Sequence, residues 1–138
     1  MLSVKILAAL IVVSSILYFF DDYWLGILIT RPDFQMSADP SIIRLGYIGS
    51  SNSTVITVKS VNGFDSNVTL DVRSVFSVSG VEFTIDPSVF HLSANEEVTC
   101  VLRIEAMSFI LVGQYSIDVY GISDNLTRTV RITIDVSY

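Results

Sequence analysis

The segment Val98–Glu105 reads VTCVLRIE, and apolar side chains recur in it at every second position. One face would carry Val98, Cys100, Leu102 and Ile104, and the other face Thr99, Val101, Arg103 and Glu105. Strict alternation indicates a β-strand with one buried face, because successive side chains of a strand point to opposite sides. This segment therefore predicts a strand whose apolar face packs into a core.

The same period of two continues on both sides of this strand. Alternation predicts further strands at Phe34–Ala38, Thr54–Val61, Val68–Val75, Val81–Ile85, Tyr115–Tyr120 and Val130–Val136. Turn signals separate them, among them Asn62-Gly63 and Asp86-Pro87. Seven short strands with no convincing helix predict an all-β domain over residues 33–138. The expected fold is an immunoglobulin-like or fibronectin-like two-sheet sandwich, and a small barrel is the alternative.

The first twenty residues differ from the rest in composition. Residues 2–20 read LSVKILAALIVVSSILYFF, and as a helix they would span roughly 28 Å, close to the thickness of a bilayer's hydrocarbon core. Lys5 precedes the apolar run and Asp21-Asp22 follows it, so the positive-inside rule predicts a cytoplasmic amino terminus and an extracytoplasmic domain. Tyr23 and Trp24 stand where an aromatic belt would lie. Lys5, Tyr23 and Trp24 are therefore the expected membrane-interface residues.

We interpret residues 1–22 as an uncleaved signal anchor, because the sequence YFFDDYW offers no small-residue cleavage site. A cleaved signal peptide is one alternative. A buried core helix is another, and the missing helical layer disfavours it. Residues 23–32 are a predicted juxtamembrane linker, in which Leu25–Thr30 either packs on lipid or a partner or forms a first edge strand.

Charge and composition exclude several classes of function. The chain has 138 residues, of which 16% are charged, with 8 Lys and Arg against 14 Asp and Glu, one His and one Cys. An acidic surface repels phosphate backbones, so nucleic acid is not an expected partner. One Cys cannot form an internal disulfide, and one His with one Cys cannot form a zinc cluster. No compact acidic loop suits calcium, so we expect no metal and no cofactor.

Three single residues invite a chemical interpretation. His91 is predicted to lie in a turn before the strand at Val98, with no nucleophile or orienting acid identifiable by spacing. We interpret it as a surface histidine and assign no catalytic residue. Cys100 is expected to be a buried, inert thiol. Tyr115, two residues after Gly113, suits a tyrosine corner whose hydroxyl bonds back to the backbone, or else it fills the core edge.

Three N-x-[ST] sequons, at Asn52, Asn67 and Asn125, are candidate N-glycosylation sites. All three fall in predicted turns or at strand starts, where an attached sugar would have room. Glycosylation of this domain would agree with the extracytoplasmic placement that the charge order around the apolar segment predicts.

Three short motifs follow one another along residues 33–138. They are the Asn-Gly-Phe turn at Asn62–Phe64, the Pro-Ser-x-x-x-Leu element at Pro87–Leu92 and the Gly-x-Tyr start at Gly113–Tyr115. In this order they resemble the immunoglobulin-like β-sandwich modules repeated in archaeal and bacterial surface proteins. The resemblance implies a sandwich fold without catalytic residues, used as a spacer, stalk or adhesive module. Here a single module follows directly on a predicted anchor, which favours a small partner subunit.

We therefore expect a non-catalytic, single-pass membrane protein whose extracytoplasmic domain acts as an interaction or accessory subunit of a cell-envelope or membrane complex. Its expected partners are membrane lipid, through the amino-terminal helix, and an envelope or membrane-complex protein. The alternative is a structural element of a surface filament or of an archaeal motility stator, since such proteins also join a hydrophobic helix to an immunoglobulin-like domain. An enzyme is the least favoured hypothesis.

Overall fold

The structure, a computed structural model, describes residues 31–74 and 80–138. The chain divides into two units, Met1–Arg31 and Pro32–Tyr138. The predicted anchor at 1–22, with Lys5, and the linker up to residue 30, with Tyr23 and Trp24, lie outside the described residues. Where the structure is described, no helix is both long enough and apolar enough to span a bilayer.

Nine β-strands follow one another within the described part of the chain. They are β1 (Asp33–Asp39), β2 (Ile42–Leu45), β3 (Ser51–Val61), β4 (Ser66–Ser74), β5 (Val81–Asp86), β6 (Val89–Leu92), β7 (Glu97–Ala106), β8 (Gly113–Ser123) and β9 (Leu126–Val136). All seven predicted strands are present, and the alternation predicted for β7 and β9 matches their burial. Two strands, β2 and β6, are missing from the sequence prediction.

The strands form a two-sheet sandwich, so the barrel alternative is wrong. One sheet has the order β1-β3-β7-β5 and the other the order β2-β9-β8-β4-β6. Every pair is antiparallel except β2 with β9, which is parallel. Inward side chains of both sheets meet in one core, which includes Phe34, Ile56, Val58, Leu102, Ile104, Ile117, Val119, Ile132 and Ile134. The core therefore consists of the apolar positions of the period-two pattern.

Both unpredicted strands arise where the chain crosses from one sheet to the other. The sequence Asp-Pro-Ser stands at each crossing, at residues 39–41 between β1 and β2 and at residues 86–88 between β5 and β6. Both Asp-Pro peptide bonds are cis. After each crossing only four residues pair with the second sheet, which is too short a run to show a period.

The sandwich has two distinct ends. Asp33 pairs with Val61, so the chain enters at the end that also carries the β8–β9 turn, which we call the amino end. The opposite end, where β9 finishes, carries the β2–β3 and β7–β8 loops and is called the carboxyl end. The eleven residues of β3 run between them, a distance of about 33 Å.

Candidate interaction surface

Seven large apolar side chains are exposed at the carboxyl end of the sandwich. They come from the β2–β3 loop, the β7–β8 loop and the residues after β9, and they are Tyr47, Ile48, Met107, Phe109, Leu111, Val112 and Tyr138, which we call the apolar patch. Their exposed fractions run from 44% to 71%. The rings of Tyr47, Phe109 and Tyr138 are in contact, so the aromatic members form a continuous apolar surface. A surface of this kind is typical of an interaction site.

Tyr138 lies at the centre of the aromatic part of the patch. Its ring stacks on Phe109 with centroids 5.6 Å apart and meets Tyr47 at 4.9 Å in a tilted arrangement. Its hydroxyl accepts a hydrogen bond from the Ile110 N–H at 3.2 Å and donates one to the Ile110 carbonyl at 2.5 Å. Ile110 itself is buried. The β7–β8 loop is therefore anchored at Ile110, while the neighbouring apolar side chains face solvent.

Backbone hydrogen bonds join the two patch loops. The Gly49 N–H donates to the Ala106 carbonyl at 2.8 Å, and the Ala106 N–H donates to the Ser50 carbonyl at 2.9 Å. The Tyr115 hydroxyl donates to the Leu111 carbonyl at 2.7 Å, which confirms the predicted tyrosine corner. Loops held in this way lose little further conformational entropy when a partner binds.

Two bidentate arginine–aspartate ion pairs link strands outside the patch. Arg128 of β9 donates two hydrogen bonds to Asp33 of β1, at 2.9 and 2.8 Å. Arg131 donates two to Asp118 on the neighbouring strand, at 2.9 and 3.2 Å. These arginine hydrogen bonds lower the pKa of Asp33 and of Asp118 below the usual value. The patch itself carries no charged side chain.

His91 lies in strand β6, so its predicted place in a turn is wrong. Because Asn67 of β4 is its register partner, its Nδ1 lies 3.0 Å from the Asn67 Oδ1. Its Nε2 lies 2.5 Å from the Asp65 Oδ1, an acid that sequence spacing did not identify. Its side chain is exposed, as expected of a surface histidine. Both ring nitrogens are engaged by these two partners, which leaves neither directed at a nucleophile.

Cys100 is fully buried in β7, as predicted. Burial raises the pKa of its thiol to about 11, and the negative charge of Asp86 adds to the shift. A thiol in this state is neither an accessible nucleophile nor a ready metal ligand. Within residues 31–74 and 80–138, no group of three or more His, Cys, Asp or Glu side chains is placed to hold a metal ion.

The three sequon asparagines are all exposed but differ in their surroundings. Asn125 lies in the β8–β9 turn. The Nδ2 of Asn52 donates to the Arg44 carbonyl at 3.0 Å, and Thr54 of the same sequon is buried. Asn67 contacts His91 through its Oδ1. The tip of the hairpin thus gives Asn125 the most open position for a glycan.

No family model matches the sequence, and no curated protein matches it. Among solved structures, the chain is similar to a FixG-related protein from Vibrio parahaemolyticus, with a TM-score of 0.56 and 10% identity over 78% of this chain and 97% of that chain. It is similar to domains 4 and 5 of the S-layer protein SbsC, with a TM-score of 0.52 and 14% identity over 78% of this chain and 48% of that chain.

A third similarity is to a family 123 glycoside hydrolase from Clostridium perfringens, with a TM-score of 0.57 and 12% identity over 75% of this chain and 27% of that chain. The chain thus spans about a quarter of that enzyme and about half of the SbsC fragment. These likenesses show a β-sandwich fold. They assign neither a family nor a function.

Proposed function

We propose that the chain is a non-catalytic, membrane-anchored extracytoplasmic protein of the immunoglobulin-like surface-module type. In this proposal its sandwich binds another protein of a cell-envelope or membrane complex. The observation that carries the proposal is the apolar patch, because monomeric soluble proteins rarely expose so many neighbouring apolar side chains. A partner that covers the patch removes this surface from water, which supplies the driving force for association.

The position of the patch supports this role. The chain enters the sandwich at the amino end, whereas the patch lies at the carboxyl end, about 33 Å away along β3. Aromatic residues and Met are enriched at protein interfaces, and the patch has three of the former and one of the latter.

The non-catalytic part of the proposal rests on His91 and Cys100, the two side chains whose chemistry would best suit catalysis. His91 has both ring nitrogens engaged, and Cys100 is buried with a raised pKa. Nucleophilic catalysis requires a nucleophile within hydrogen-bond reach of a base, and these two residues do not supply that pair.

A double substitution in the patch tests the proposal. We expect the full-length chain, extracted from its native membrane in mild detergent, to run as a complex larger than its own monomer. Phe109→Asp combined with Leu111→Asp should reduce it to the monomer, because burying two carboxylates at an interface is costly. The matched control is Ile42→Asp on β2, since Ile42 is 58% exposed outside the patch, and it should leave the complex intact.

A monomeric wild-type chain, or a complex that survives the double substitution, would contradict the proposal. The extracytoplasmic placement has its own test. In intact cells, external protease should reach the sandwich, and Asn125→Gln should remove a glycan-dependent shift in electrophoretic mobility. A sandwich that is cleaved only after lysis would place it in the cytoplasm. Surface fibres that disappear when the chain is deleted would favour the filament alternative.

A further inference from the structure

The first two strands together run from the amino end of the sandwich to its carboxyl end. β1 begins at Asp33 beside Val61, at the amino end, and β2 finishes at Leu45 beside Val136, at the carboxyl end. Between the two strands the chain crosses from one sheet to the other. We call residues 33–45 the leading run. Each sheet therefore holds one part of the leading run.

Backbone pairing holds the leading run along its length. β1 pairs with β3 over all seven of its residues, in antiparallel register, and β2 pairs with β9 over all four, in parallel register. Two hydrogen bonds mark the limits of the second contact. The Thr133 N–H donates to the Ser41 carbonyl at 2.9 Å, and the Ser137 N–H donates to the Leu45 carbonyl at 3.1 Å. Detaching the leading run therefore requires both ladders to break.

Side chains add to these backbone contacts where the leading run starts and where it crosses. Arg128 of β9 donates two hydrogen bonds to the Asp33 carboxylate, at 2.9 and 2.8 Å. Since β1 and β9 belong to different sheets, this pair joins the first residue of the leading run to the opposite sheet. At the crossing, the hydroxyl of the buried Thr54 donates to the Pro40 carbonyl at 2.5 Å. The leading run is thus attached at its start, its middle and its end.

Tension between the two ends of the sandwich would load these contacts in one direction. In the function proposed above, the chain is held through residue 32 at the amino end and through the apolar patch at the carboxyl end. Such a pull is parallel to the strands, because β1, β2 and β9 all run from the amino end to the carboxyl end. The hydrogen bonds of an antiparallel pair are perpendicular to its strands. The pull therefore loads these bonds together, and they resist it as a group.

A pull from the side would load the same contacts one after another. If residue 32 is drawn away from another point at the amino end, the pairing of Asp33 with Val61 carries the load first. Once it breaks, the load passes to the next pair of residues. Each hydrogen bond contributes only modestly by itself, so a sequence of single breaks requires less force than the rupture of a whole ladder. The resistance of the sandwich should therefore depend on the direction of the pull.

We propose that the leading run is a mechanical clamp, which lets the sandwich carry tension between its two ends without unfolding. Backbone hydrogen bonds from β3 and β9 hold the clamp, and the Asp33–Arg128 pair closes it where the load enters. That the chain meets tension in the cell rests on the function proposed above. The clamp itself is a property of the fold and can be measured without a partner.

Single-molecule pulling with optical tweezers on the full-length chain in mild detergent tests the clamp. For a pull along the strands, handles are attached to thiols introduced by Pro32→Cys and Ser137→Cys, both at exposed positions. The native Cys100 is buried and does not take up a handle. For a pull from the side, the second handle is moved to Asn125→Cys in the β8–β9 turn at the amino end. We expect the first transition along the strands to need at least twice the force of that from the side.

Two arginine variants, pulled along the strands at one loading rate, test the pair at the entry. Arg128→Ala should lower the unfolding force by at least a quarter. Arg103→Ala is the matched control, because Arg103 bonds to Glu105 of its own strand, and it should unfold at the force of the parent chain. In urea the two variants should have midpoints within about 0.5 M of each other, since exposed ion pairs contribute little to stability. Equal forces in the two pull directions, or no effect of Arg128→Ala, would overturn the proposal. Neither result depends on whether the apolar patch binds a partner.

Discussion

Replacing Tyr138 with phenylalanine tests whether one hydroxyl holds the loop that carries most of the apolar patch. The change deletes both hydrogen bonds to Ile110, the accepted one at 3.2 Å and the donated one at 2.5 Å, and keeps the ring. Ile110 is 5% exposed, so its N–H and C=O would lose partners at a largely buried site. An unsatisfied buried polar group costs about 1–3 kcal/mol, which gives a total of about 2–6 kcal/mol for the two.

The free energy needed to detach the β7–β8 loop is an upper limit on this cost. If the loop detaches, both backbone groups reach water, and the loss becomes the burial of the Ile110 side chain, about 1.5–3 kcal/mol. The stack between Tyr138 and Phe109 adds about 0.5–1.5 kcal/mol where it is also lost. We therefore expect Tyr138→Phe to lower the free energy of unfolding of this loop by about 2–3 kcal/mol.

Hydrogen exchange at the Ile110 amide is the direct assay. A loss of about 2 kcal/mol corresponds to an exchange rate roughly thirty times faster. The control is Tyr47→Phe, because the Tyr47 ring meets Tyr138 at 4.9 Å and its hydroxyl makes no hydrogen bond within the described residues. We expect that control to change stability by less than about 0.5 kcal/mol. Equal exchange in the two variants would refute the claim that the Tyr138 hydroxyl organises the patch.

Three further predictions concern the scaffold. Gly121→Ala should destabilise the sandwich by about 1–3 kcal/mol in urea unfolding, because its Cβ would lie 2.6 Å from a sulfur of β1. Gly46→Ala, whose Cβ would have no neighbour nearer than 3.7 Å, is the control and should cost less than about 1 kcal/mol. Acid should destabilise the fold as pH falls below about 4. The pKa values of Asp33 and Asp118 are lower in the folded than in the unfolded state, so their ionised forms stabilise the fold above the unfolded pKa, and this stability is lost as the carboxylates are protonated. A free energy of unfolding that does not change with pH in this range would contradict this. Cys100 should resist a thiol reagent at pH 8 until denaturant is added, and rapid native labelling would show that the thiol is accessible.

The strands that alternate over many residues could be predicted from the sequence, and the reason is physical. In β7, and in β9 from Val130 to Val136, one face is turned into the core, so the requirement for a core leaves a period of two in the sequence. The tyrosine corner could also be predicted, because a Gly-x-Tyr start places the hydroxyl beside backbone that is close in sequence.

Strands β2 and β6 could not be found from alternation, yet the sequence holds a different signal for them. Residues 39–45 read DPSIIRL and residues 86–92 read DPSVFHL, so Asp-Pro-Ser precedes the same pattern of four residues at both sheet crossings. In each case the second and fourth residues of the short strand turn inward, with Ile43 and Leu45 matching Phe90 and Leu92. The shared motif would have identified both crossings.

The apolar patch is invisible in the sequence for a different reason. The run Met107–Val112 reads MSFILV, which in isolation suits a buried strand as well as a surface loop. Its exposure follows from long-range contacts, since Ala106 pairs with Ser50 and Gly113 pairs with Val136. The structure leaves only Ile110 of this run buried. The sequence pattern of this run does not indicate which of its side chains the pairing of the flanking strands leaves exposed.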